Sequence, residues 1–124
     1  KIDSRNIVVI DQNIQNQQQL FDSFGKQLWT DASKNPIHPG TKQFGGNWDA
    51  FDEYLFVYLK ENDELTIIHH SLPSLTDEEL CIYISLIVHV FSQSADRINC
   101  YLYFTEGSFV EITSLLAKKL DLGW

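Results

Sequence analysis

From Leu65 to Phe91 the chain reads LTIIHHSLPSLTDEELCIYISLIVHVF, and this stretch decides the fold. Its opening LTIIH is rich in branched side chains, which predicts a short buried strand. Thr76 follows the turn residues, with Glu79 three positions on; in this capping-box pattern each side chain satisfies the other's free backbone N–H at a helix start. From there to about Phe91 the residues Leu80, Ile82, Ile84, Leu86, Ile87, Val88 and Val90 fall on nearly every side of the helix, so it is expected to be largely buried. Residues 99 to 105, NCYLYFT, then read as another strand. A strand, a buried helix and a strand form the unit that returns the chain to the same end of a sheet, which makes its strands parallel.

The same alternation extends outward on both sides. NIVVID at residues 6 to 11 reads as a first strand, and between 15 and 29 Phe21, Phe24 and Leu28 recur at helical spacing. TDASKNPIHPGTKQ, residues 30 to 43, carries two prolines and a glycine and reads as a loop. A second helix begins near Asn47. After the last strand a final helix over 107 to 122 has Phe109, Ile112, Leu115, Leu116 and Leu120 as its apolar set and Gly123 as its C-terminal cap. Strand, two helices, strand, helix, strand, helix predicts an α/β fold, a small three-stranded parallel sheet packed by about four helices, in one domain spanning 1–124.

Composition narrows the function. The 124 residues carry 17 acids against nine bases, a net charge of −8, and the excess is local. Between residues 43 and 96 there are ten acids and one base, Lys60, whereas the remainder is close to neutral. Such a field steers a basic partner toward the chain and disfavours nucleic acid or anionic lipid. Cys81 and Cys100 sit among apolar neighbours and read as free thiols, which suits a reducing compartment. No apolar run reaches the length of a membrane span, and KIDSRNIVVIDQN lacks the pattern of a signal peptide, so a cytoplasmic location is expected.

The second helix concentrates the chemistry. With Asn47 as its N-cap, Trp48, Phe51, Leu55 and Leu59 form a stripe that must face the sheet. Asp49 and Glu53, four apart, stack on another face with Asp52 beside them and Phe56 continuing the row. Gly45 and Gly46 precede this row and permit an exposed loop next to it. Other chemistries fit less well. A phosphate cradled by the two glycines would meet Asp49 and Glu53, which repel it. A glycosidase pair would need facing carboxylates in a cleft, not two acids on a convex helix. His69 and His70, adjacent on a strand, point to opposite faces and do not hold one metal together, and His38 lies in the loop. The expectation is a protein that is not an enzyme and uses no cofactor or metal.

The segment FGGNWDAFDEYL, from Phe44 to Leu55, resembles the signature of the barstar family, small acidic proteins that inhibit secreted microbial ribonucleases. The opening VVID strand, the helix containing LFDSF, the middle strand, the long apolar helix and the closing strand keep the family's order, so the resemblance covers about residues 6 to 105. It implies a function: the second helix and its preceding loop would plug a nuclease active site, with carboxylates in place of substrate phosphates. By position that role falls to Asp49 and Glu53, with Gly45, Gly46 and Asn47 as the approaching loop, and the implied surface also takes in Gln43, Phe44, Asp52 and Phe56. The implied partner is a basic protein, a secreted or toxin ribonuclease, bound by a chain that is monomeric when free. An acidic adaptor or immunity module for a basic partner that is not a ribonuclease is the alternative.

The chain departs from the family pattern in several places. Glu53 stands where the family has an aspartate, Gln43 where it has a loop aromatic, and Asp52 where it has an exposed tryptophan. The 30–43 loop is longer, and the helix at 107–122 lies beyond the family's last strand. Loss of two rigid aromatic anchors implies a partner surface that differs in detail from the family's usual one.

Overall fold

The first strand, β1 (Ile7–Ile10), is followed by helix α1 (Gln17–Leu28), and both lie where apolar spacing places them. In this computed structural model the described residues are 6–29, 35, 37, 40, 43–62, 64–94 and 99–121. Most of the 30–43 loop, His38, Asp63, Asp96 and the expected cap Gly123 lie outside them, as does the side chain of Leu120. Helix α2 (Trp48–Glu61), strand β2 (Glu64–His69), helix α3 (Asp77–Ser94), strand β3 (Asn99–Phe104) and helix α4 (Glu106–Asp121) complete the order. Local chemistry sets the helix starts. Asn16 Oδ1 accepts from Gln19 N–H at 2.8 Å, and the expected capping box at α3 is present, with Thr76 N–H to Glu79 Oε1 at 3.0 Å and Glu79 N–H to Thr76 Oγ1 at 3.1 Å.

The strands pair in parallel in the order β1-β2-β3, with Val8 opposite Ile67 and Ile67 opposite Leu102. Both crossovers step the same way, so right-handed connections put α1, α2 and α3 on one face. Burial follows that geometry. Val8, Ile10, Leu65, Ile67 and His69 point into the helix layer and are buried, whereas Ile7, Val9, Thr66 and Ile68 on the other face stay partly exposed.

Phe51 is the hub of the core. Its ring centroid lies 4.9 Å from that of Phe24, 5.0 Å from Phe21 and 5.7 Å from Phe44, and Tyr83 of α3 closes the cluster from the far side at 6.4 Å. Edge-to-face and tilted pairs of this kind add about 0.5–1.5 kcal/mol each to the burial of their area. The α2 stripe faces the core, where Phe51 meets α1 and α3, and is widened by Tyr54 and Tyr58, while Trp48 is only half-buried at its rim.

Two expectations about burial are corrected. Val88 of α3 is 51% exposed and Phe109 of α4 is 55% exposed. The sheet ends at β3, so the side of α3 carrying Val88 has no further strand beneath it. In α4 Ile112 takes the buried position, with Leu115 and Leu116 partly covered.

Candidate functional site

The segment from Gln43 into α2 is built from backbone outward. Asn47 has extended dihedrals, and its Oδ1 accepts the Ala50 N–H at 2.8 Å, which starts the helix and engages that side chain in its own cap. Gly45 has φ +96°, a left-handed conformation that glycine adopts without strain. A Cβ there would lie 2.8 Å from the Phe51 nitrogen, so the loop backbone rests directly on the first turn of α2. Gly46 is exposed, and a Cβ on it would meet open space.

Upstream, Asn35 is fully buried and ties the loop to itself. Its Nδ2 donates to the Gln43 carbonyl at 3.1 Å, and its Oδ1 accepts the Ile37 N–H at 3.0 Å. Asn35 was not singled out in the sequence, although an asparagine before proline in a loop is a recognisable turn signal.

The structure divides the implied surface. Gln43, Gly46, Asn47, Asp49 and Glu53 are exposed, and Asp52 is half-exposed. Phe56 is 37% exposed, and the Lys60 ammonium lies over its ring, 4.7 Å from the centroid. Phe44 is a correction: it is fully buried between Phe24, Trp29, Phe51 and Tyr54, and Gly45 is buried with it. An aromatic before a tight glycine turn is driven into the core by its own apolar area, so Phe44 anchors the loop from beneath and its ring is not on the outer surface. The outer surface is thus Asp49 and Glu53 one turn apart, Asp52 at their side, and the exposed Gly46–Asn47 corner at the helix start. Glu53 also acts inward: burial first, and this carboxylate second, raise the pKa of the Tyr54 hydroxyl.

The two histidines separate as adjacent strand positions should. His70 is exposed, and His69 is fully buried. His69 Nδ1 lies 3.1 Å from the Tyr103 carbonyl, which only accepts, so that nitrogen carries the proton, and Nε2 accepts from the Tyr83 hydroxyl at 2.8 Å. The ring stacks on Phe104 at 4.4 Å. Burial pushes its pKa down to about 4, with the Tyr103 carbonyl pulling the other way. With both nitrogens engaged, His69 is a satisfied core residue. Among the described residues no three His, Cys, Asp or Glu side chains are grouped to hold a metal ion, and no helix is long and apolar enough to cross a membrane. Cys81 is buried and Cys100 half-buried, and no disulfide joins them.

Comparison with protein-family models, with curated proteins and with solved structures returns no match. The fold itself defines a class, a small α/β protein with a three-stranded parallel sheet and four helices among the described residues.

Proposed function

We propose that this chain inhibits a small basic ribonuclease, in the manner of the barstar family that its Phe44–Leu55 segment resembles. The observation that carries the reading is the geometry of α2: Asp49 and Glu53 are exposed one turn apart, beside an exposed Gly46–Asn47 corner, on a helix whose opposite side is locked into the core through Phe51. A nuclease site that holds phosphates is a positive concavity. Carboxylates fixed on a rigid convex element compete with RNA for it through charge-assisted hydrogen bonds to its Arg, Lys and His side chains. Rigidity matters because little freedom remains to be lost on binding. A cytoplasmic protein that protects its host from such an enzyme fits a chain whose two cysteines form no disulfide with each other.

Titration into a panel of small basic ribonucleases, followed by RNA cleavage at two salt concentrations, tests the proposal. Stoichiometric, salt-sensitive loss of cleavage is the expected result. Asp49→Ala and Glu53→Ala should each weaken inhibition by about 2 kcal/mol or more while leaving the thermal transition unchanged. If both variants inhibit like the parent, the site is not on α2. Binding without loss of cleavage would instead identify an adaptor or immunity module for a basic partner of another kind.

A further inference from the structure

Phe56 lies outside the aromatic cluster around Phe51 and stands 37% exposed on the outer side of α2. Its place in the helix sets its neighbours. Asp52 is four residues before it and Glu53 three, and a helical side chain leans toward the N-terminal turn, so the ring is directed at both carboxylates. Lys60 follows four residues on. Its ammonium stands over the ring, 4.7 Å from the centroid, and among the described residues no carboxylate takes it into an ion pair. In a stretch with ten acids and one base, the single cation rests on an aromatic face. The negative face of the ring, with acids one turn away, is thus already a seat for positive charge.

We propose that Phe56 selects an arginine on the partner: a guanidinium lies flat on its ring in place of the Lys60 ammonium and donates its edge N–H groups to Asp52 and Glu53. The inference rests on the inhibitor reading for the identity of that partner, a basic ribonuclease. It adds to that reading a contact made by the one aromatic ring of the outer surface.

The chemistry chooses arginine over lysine. A guanidinium is planar, so it covers the ring with its face and still points a fork of donors sideways at carboxylates. An ammonium is a point charge without that fork, and it is more strongly hydrated, so laying it against a ring costs more. Lys60 is such a weaker occupant. Its chain arrives from the turn after Phe56, on the side away from Asp52 and Glu53, and an exposed contact of this kind is held by only a small free energy. An arginine that reaches ring and carboxylates together displaces it.

Amide resonances of residues 52–56 are followed while the full chain is titrated with Nα-acetyl-arginine amide at fixed ionic strength. The lysine analogue and the citrulline analogue, which keeps the shape of arginine without its charge, are the comparisons. Arginine should bind more tightly than either by about threefold or more. Phe56→Met keeps an apolar side chain without the ring and should weaken arginine binding by about two- to fivefold, and Lys60→Ala should tighten it by removing a competitor. Against a ribonuclease that the parent inhibits, Phe56→Met should weaken inhibition by the same factor. Lysine or citrulline binding as tightly as arginine overturns the proposal. So does Phe56→Met binding arginine like the parent, or Lys60→Ala binding it no more tightly. The two readings fail separately. Phe56→Met that inhibits like the parent, where Asp49→Ala does not, removes the role of Phe56 and keeps the inhibitor. A chain that inhibits no ribonuclease but prefers arginine through Phe56 keeps the arginine seat and removes the nuclease.

Discussion

An alanine methyl at Gly45 would have to occupy space already held by the Phe51 backbone nitrogen, 2.8 Å away, and would do so at φ +96°. Both penalties act on the folded state. Gly45→Ala should therefore cost at least about 2 kcal/mol in denaturant unfolding. Gly46→Ala meets open space at an ordinary φ and should change stability by no more than about 0.5 kcal/mol. Equal losses at the two positions would refute the assignment of the close approach to Gly45 alone. In the sequence the two glycines are indistinguishable, because a dihedral angle leaves no mark on residue type. Phe44 is illegible for a related reason. Its neighbours are polar and glycine, and only the aromatic cluster of Phe24, Trp29 and Phe51 shows where its side chain goes.

At the scale of elements, periodicity and capping chemistry made all three strands and four helices readable, and the Thr76–Glu79 box marks the start of α3 to the residue. Strand order is different, since it decides which helix faces run out of sheet. Val88 and Phe109 are exposed because they lie toward the β3 edge, a fact no helical period contains. His69 shows how elements lock together: a β2 side chain bonded to Tyr83 of α3 and to the Tyr103 carbonyl of β3. Its pKa of about 4 lies below the unfolded value near 6.5, so in that interval the unfolded chain binds a proton that the folded chain refuses. The stability from neutral His69 is complete above about pH 6.5 and falls as pH drops toward 4, by about 3 kcal/mol in all. Guanidinium unfolding at pH 7.5 and 4.5 measures it. His69→Gln cannot titrate, so its free energy should vary less between the two pH values than the parent's does.

Along the whole sequence the negative charge is unevenly spread. Ten of the 17 acids lie between residues 43 and 96, four of them on α2, and the stretch from Leu80 to Thr105 holds one acid and one base. Within the acidic region Lys60 is the one base, and it sits over Phe56, one turn beyond Glu53 on the outer side of α2. If α2 docks against a basic nuclease, this ammonium opposes the approach. The Lys60–Phe56 contact at an exposed site stabilises the fold by only about 0.5–1 kcal/mol. Lys60→Ala should therefore leave the fold nearly as stable and raise the association rate with a basic ribonuclease by roughly two- to threefold at low salt. The gain should shrink as ionic strength rises and the Debye length falls below about 10 Å. Stopped-flow association at two salt concentrations reads both effects. A slower association for Lys60→Ala would mean that the ammonium is drawn toward the partner, which would place an acidic surface opposite α2 and remove the basic nuclease from consideration.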